Sequence, residues 1–231
     1  MKKESLKQLF IVTIFSIAMA FLESVIVVYL RKIYYPNGFD FPLVGFIDPN
    51  ILSIEWFREF CTIIMLIAIA LLAAKKFSER FAYFMFSFAI WDIFYYIWLW
   101  VMLSWPKSIF TWDLLFLIPW PWIGPVLAPV ILSLTMIIFA IIILNKPLNI
   151  KLKEWTLLIL GSLVVLYTFL IDYGKLIFLN GFAAEFFSLS TNSQFASLIE
   201  KFTPIYFNWP IFLFGELLIV MAIILFHRRK L

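Results

Sequence analysis

The chain has little of the material from which most active sites are made. In 231 residues it holds one histidine, one cysteine and 7 glycines, and only 14% of its residues are charged. The histidine, His227, sits in a basic C-terminal run with Arg228, Arg229 and Lys230, the place of a headgroup anchor. Ser-His hydrolase and histidine-phosphatase arrangements inside an apolar segment are therefore excluded. Cys61 alone makes neither an internal disulfide nor a CxxC metal site, and its apolar surroundings predict an inert buried thiol. Gly124, Gly161 and Gly181 are isolated, so no phosphate-cradling glycine loop is present, and HExxH and GxSxG are missing as well.

What is abundant is apolar surface. The chain is 65% hydrophobic and 20% aromatic, with a mean hydropathy of +1.03, well beyond a soluble domain. Runs of about 20 apolar residues, enough to cross roughly 30 Å of hydrocarbon, predict six spans near 9–30, 52–74, 81–104, 122–145, 155–172 and 209–226. The fold expected is an all-α integral membrane protein, one six-helix bundle occupying residues 1–231. Lys2, Lys3 and Lys7 before Ala18-Met19-Ala20 imitate a cleavable signal. The apolar run continues through Val28 to Arg31, however, which predicts an uncleaved first span.

Placing the loops alternately sorts the charges. Lys2, Lys3, Lys7, Lys75, Lys76, Arg80, Lys146, Lys151, Lys153, Arg228, Arg229 and Lys230 fall on one side, twelve of the 18 basic residues. The positive-inside rule puts both termini in the cytoplasm, and a plasma (inner) membrane is expected. Although the net charge is +4, the basic residues are scattered over short loops, which speaks against nucleic acid as a partner. In span count and topology alone, the chain resembles the substrate-binding subunits of energy-coupling vitamin transporters. That likeness implies a partner membrane subunit.

The outer connections are long and aromatic. Tyr34-Tyr35-Pro36-Asn37-Gly38 is a turn signal, and Asp48-Pro49-Asn50 caps the second span. Trp105-Pro106 and Pro119-Trp120-Pro121-Trp122 lead into a fourth span with Pro125 and Pro129 in its opening turns. Two readings apply here: a broken or re-entrant segment, and an aromatic belt of Trp105, Trp120 and Trp122 at the headgroups, which is the one adopted. In the last outer loop Thr191, Asn192 and Ser193 offer caps. Phe195, Leu198, Ile199 and Phe202 then recur at helical spacing, giving a short amphipathic helix, either an interfacial anchor or a lid.

Four carboxylates, Glu23, Glu59, Asp92 and Glu216, lie within the spans and only one base, Arg58, lies among them. Ionisable groups at bilayer depth are working residues by default. At 1.5 Å per residue they lie roughly 21, 22, 16 and 15 Å from the cytoplasmic ends of their spans. All four thus fall between midplane and outer leaflet, which predicts one shared outward-facing cavity. Glu55, Glu59 and Thr62 form a stripe beside Arg58, and Tyr95 and Tyr96 follow Asp92. The candidate binding residues are Glu23, Arg58, Glu59, Asp92, Tyr95, Tyr96 and Glu216. The bland alternative is polar glue between helices, with Arg58 paired to Glu59 or Glu23.

The acid surplus predicts a small transporter or solute-binding membrane subunit for a cationic or zwitterionic small molecule, with proton coupling as a further option. Two other readings stay open. One is a structural or assembly subunit of a larger membrane complex. The other is an intramembrane enzyme on a lipid or isoprenoid, with Glu59, Asp92 and Glu216 as acid and base and Arg58 as anion partner. Oxygen-only donors would suit Mg, Ca or Mn, but no spacing specifies a metal, and the cofactor is left unassigned.

Overall fold

A computed structural model describes residues 3–43, 48–146, 148–187 and 192–229. Six helices are long and apolar enough to cross a membrane, and the chain is a multi-pass membrane protein. These are α1 (Lys3–Tyr34), α2 (Pro49–Ala73), α3 (Phe77–Leu103), α4 (Leu127–Asn145), α5 (Leu152–Leu179) and α8 (Trp209–Arg228). Two short helices, α6 (Ala183–Phe187) and α7 (Ser193–Ile199), lie between α5 and α8.

The helix ends follow local chemistry. The Asp48 carboxylate accepts from the Asn50 N–H at 2.8 Å, and Pro49, with no N–H to satisfy, opens α2. Asn208 caps α8 through the Ile211 N–H, and Asn192 caps α7 through Gln194 and Phe195. Thr191, the other cap expected there, lies outside the described residues. At the foot of α1 the Gly38 N–H donates to the Tyr35 carbonyl, and Gly38 has φ +104, so the turn needs its glycine. The end of α3 is set by Ser104 in a left-handed conformation, φ +52, its N–H returning to the Trp100 carbonyl at 2.8 Å.

The all-α expectation needs a correction between α3 and α4. Residues Trp112–Phe116 (β1) and Trp122–Pro125 (β2) form an antiparallel hairpin, pairing Asp113 with Gly124 and Leu114 with Ile123, with an irregularity before Phe116. The fourth helix therefore starts at Leu127, five residues later than hydropathy suggests, because Trp122 to Pro125 are spent on β2. The tryptophans expected in an aromatic belt also make contacts with protein. Trp105 is buried against Arg31, Trp120 donates its indole N–H to the Leu170 carbonyl of α5 at 2.9 Å, and Trp122 donates to Ile118 at 2.7 Å and stacks on Phe169. These rings supply partners for irregular backbone, as such a segment requires.

Ring contacts and hydrogen bonds define one end of the bundle. Phe81 meets Trp155, Tyr83 donates to the Ser5 carbonyl, and Arg229 pairs with Glu154 at 3.0 Å. The hairpin, α6 and α7 gather at the other end, where Phe195, Phe186, Ile123 and Tyr173 form one apolar cluster. The amphipathic helix α7 thus buries its Phe195 on protein. Cys61, expected to be buried, is exposed on the outer surface of α2.

Helices α5 and α8 cross closely at Gly161 and Gly215. A Cβ on Gly161 would lie 2.7 Å from the Gly215 carbonyl oxygen, and one on Gly215 would lie 2.9 Å from the Gly161 carbonyl oxygen. Such small-residue contacts let backbones approach where apolar lipid offers no hydrophobic drive. Gly161→Val and Gly215→Val are expected to lose about 1–3 kcal/mol each. Thermal unfolding in detergent should show both midpoints lowered, and unchanged midpoints would mean the crossing is looser than this.

Candidate functional site

The carboxylates of α1, α2 and α3 converge toward the hairpin. Glu23, Arg58, Glu59, Asp92, Tyr95 and Tyr96 all line one cavity of about 220 Å³, together with Glu55, Thr62, Arg31, Asp113 and Glu185. Apolar side chains from α1, α2 and β1 complete its walls, among them Val27, Leu30, Leu52 and Leu114. Phe186, Phe195 and Ile199 line it from α6 and α7, so α7 covers the cavity as well as the bundle end. Glu216 stands apart. Its carboxylate accepts from the Thr135 hydroxyl of α4, and it is not among the cavity-lining residues.

Arg58 is shared by two acids. Its Nε and Nη2 both donate to Glu55 Oε2, at 2.9 and 2.7 Å, and its Nη1 is paired with Glu23. Helical geometry explains the first contact, since three residues separate Glu55 from Arg58 on one face. Glu23 also accepts from the Thr62 hydroxyl at 2.8 Å, so α1 is tied to α2 at two points. Glu59 does not pair with the arginine beside it. Instead both of its oxygens accept from the Leu117 N–H in the hairpin turn, at 3.0 and 2.9 Å.

Asp92 accepts from the Ser133 hydroxyl of α4 at 2.9 Å. Among the described residues neither Glu59 nor Asp92 forms an ion pair, whereas Glu23 and Glu55 both do. Tyr95 and Tyr96 stand one turn further along α3, their rings 5.3 Å apart. The Tyr96 phenol lies beside Asp113.

A second ion pair holds the hairpin to α1. Arg31 Nη2 donates to Asp113 Oδ1 at 2.9 Å, and both side chains are buried. The guanidinium lies between two rings, 3.7 Å from the Trp105 centroid and 4.3 Å from that of Phe39, a stacking geometry suited to arginine. Burial pushes the Asp113 carboxyl up to about 6, with the adjacent guanidinium as the strongest opposing influence.

Sequence reasoning passed over four of the cavity's charged groups. Glu55 was visible in the polar stripe of α2. Arg31 looked like a loop charge because α1 runs four residues past the expected span end. Asp113 and Glu185 carried no signal, since each lies in an aromatic connection whose folding back cannot be read from periodicity. Among the described residues no three His, Cys, Asp or Glu side chains converge as a metal cluster. Comparison of the chain with protein-family models, with curated proteins and with solved structures finds no match.

Removing Arg58 would leave Glu23 and Glu55 facing each other at depth. Breaking one side of a buried pair typically costs about 3–5 kcal/mol, whereas replacing all members is far milder. Arg58→Gln should therefore lower the thermal midpoint markedly, and the triple change Glu23→Gln, Glu55→Gln, Arg58→Gln should recover much of the loss. A triple variant less stable than Arg58→Gln would contradict this reading of the charges.

Proposed function

We propose that the protein is a small transporter or solute-binding membrane subunit that takes a cationic or zwitterionic small molecule into the cavity bounded by α1, α2, α3 and the hairpin. The observation that carries the reading is the charge balance of the cavity lining. Glu23, Glu55, Glu59, Asp92, Asp113 and Glu185 supply six carboxylates there, against the guanidiniums of Arg31 and Arg58. Both guanidiniums are already engaged by Asp113, Glu23 and Glu55. Glu59 and Asp92 have only neutral donors, and a carboxylate in low dielectric is stabilised by a cation or else takes a proton. An incoming ammonium group would meet that need directly.

The same cavity lies at the end of the bundle away from the basic ends of α4 and α8. With the Lys and Arg distribution, this supports an orientation in a plasma membrane with both termini cytoplasmic and the cavity facing out. Protons and a bound cation compete for the same oxygens, so uptake coupled to proton movement follows from the same residues.

Binding of choline, whose charge does not depend on pH, to the protein in lipid nanodiscs tests the proposal. Glu59→Gln and Asp92→Asn should each weaken binding at least tenfold, equivalent to about 1.4 kcal/mol. Glu216→Gln, which alters a carboxylate outside the cavity, should leave binding unchanged. Affinity should also fall as the pH is lowered, since protonation removes the attracting charge. If choline and related ammonium ions bind nowhere, or bind equally well to all three variants, the acids are packing contacts and the structural-subunit reading takes over.

A further inference from the structure

The arginine that anchors the hairpin uses only part of its donor set. Arg31 lines the cavity, is only 7% exposed, and donates from Nη2 to Asp113. Among the described residues its Nη1 has no hydrogen-bond partner. The rings of Trp105 and Phe39 lie over the guanidinium, 3.7 and 4.3 Å from it, whereas guanidinium donors form a fork within its plane. The rings therefore stack on the group without satisfying that donor. A buried donor without an acceptor is costly, and more so when it carries charge. An oxygen acceptor brought into the cavity would complete the set.

An acidic pole stands along the same strand. The run from Asp113 through Leu117 lines the cavity at every residue, and it meets Arg31 at its first residue and Glu59 at its last, through the Asp113 carboxylate and the Leu117 N–H. Four residues of extended chain separate these two attachment points by at most roughly 13 Å, at about 3.3 Å per residue. Tyr95, which also lines the cavity, interacts with Arg31 and Asp113 as well as with Arg58 and Glu59. One phenol thus lies within electrostatic range of both poles. A short molecule is long enough to join them.

We infer that the ligand is a compact zwitterion, with its ammonium group held by Glu59 and Asp92 and its carboxylate received by the Nη1 donor of Arg31. This inference rests on the proposed cation site and decides between the two classes of molecule named for it. A plain cation leaves Arg31 Nη1 unpaired. A zwitterion gives it a charge-assisted hydrogen bond, the stronger kind, while its ammonium group meets acids that have only neutral donors. Asp113 keeps the other arm of the guanidinium, so the hairpin retains its anchor.

Choline and glycine betaine, titrated against the protein in nanodiscs, separate these cases. Both carry a trimethylammonium head, and they differ at the far end, a neutral hydroxyl in choline and a carboxylate in betaine. A cavity that reads charge alone prefers choline, which is net positive, to betaine, which is net neutral. With Arg31 receiving the carboxylate the order reverses, and betaine should bind at least about tenfold tighter, a difference of about 1.4 kcal/mol. Arg31→Lys keeps a cation for Asp113 but lacks the second planar arm, and the double variant Arg31→Gln, Asp113→Asn removes both charges of the pair together. Each should return the preference to choline, and either suffices where the other does not fold. A preference for choline in the unaltered protein would overturn the inference and leave the cation site standing. An unchanged preference for betaine in the variants that fold would also overturn it, since the carboxylate would then be held elsewhere. If the unaltered protein binds neither molecule, the cation site itself is removed, and the inference with it.

Discussion

A backbone N–H inside a bundle of spanning helices has no water to turn to, and the hairpin between α3 and α4 brings a whole turn of such groups indoors. For Leu117 the acceptor is the Glu59 carboxylate. For the strands it is the pairing of Trp112–Phe116 with Trp122–Pro125, and the Leu170 carbonyl is taken by the Trp120 indole. Once these groups are satisfied the hairpin is fixed, and it bridges α1, through Asp113 and Arg31, to α2, through Leu117 and Glu59. The cavity is the space this bridge encloses.

The charges around it form two separate systems. Arg58 with Glu23 and Glu55 draws α1 and α2 together, and Arg31 with Asp113, stacked between Phe39 and Trp105, anchors the hairpin. Buried ion pairs of this kind add little net stability over apolar packing, because desolvation offsets their attraction. Their effect is geometric: each fixes which surfaces meet. Stability is better sought at the opposite side of the bundle, where Gly161 and Gly215 let α5 and α8 touch along their backbones.

The spans were legible because hydrocarbon thickness imposes a length and backbone satisfaction imposes a helix. Helices α2, α3 and α8 end within four residues of their apolar runs, while α1 begins six residues earlier and α5 ends seven residues later than theirs, and Asp48-Pro49 and Asn192 cap where capping chemistry predicts. The convergence of Glu23, Glu59 and Asp92 was legible too, from depth alone. Glu216 shared their depth but not their cavity, because depth gives no angular position around a bundle. Which acid Arg58 would meet was half visible: Glu23 was named, while Glu55, at favourable helical spacing, was passed over for the adjacent Glu59, which points elsewhere. The hairpin was hidden for a physical reason. Apart from Asp113, Trp-Asp-Leu-Leu-Phe and Trp-Ile-Gly-Pro carry no charged residue, so neither alternation nor helical periodicity distinguishes them from the start of a span.

Glu59 belongs to both the architecture and the candidate chemistry, and this joins them. A carboxylate offers about four acceptor positions, and the backbone N–H groups of Leu117 and Ile118 occupy only part of that capacity. Glu59 also lines the cavity, as does Asp92. Neutralising Glu59 by a proton weakens its hold on the Leu117 N–H, since charge-assisted hydrogen bonds are the stronger ones. Pairing it with a cation leaves the carboxylate charged and the hydrogen bond intact. The position of the hairpin turn is thus tied to what occupies the acid cluster. By linkage the dependence is mutual: whatever holds Leu117 in place also favours the charged state of Glu59.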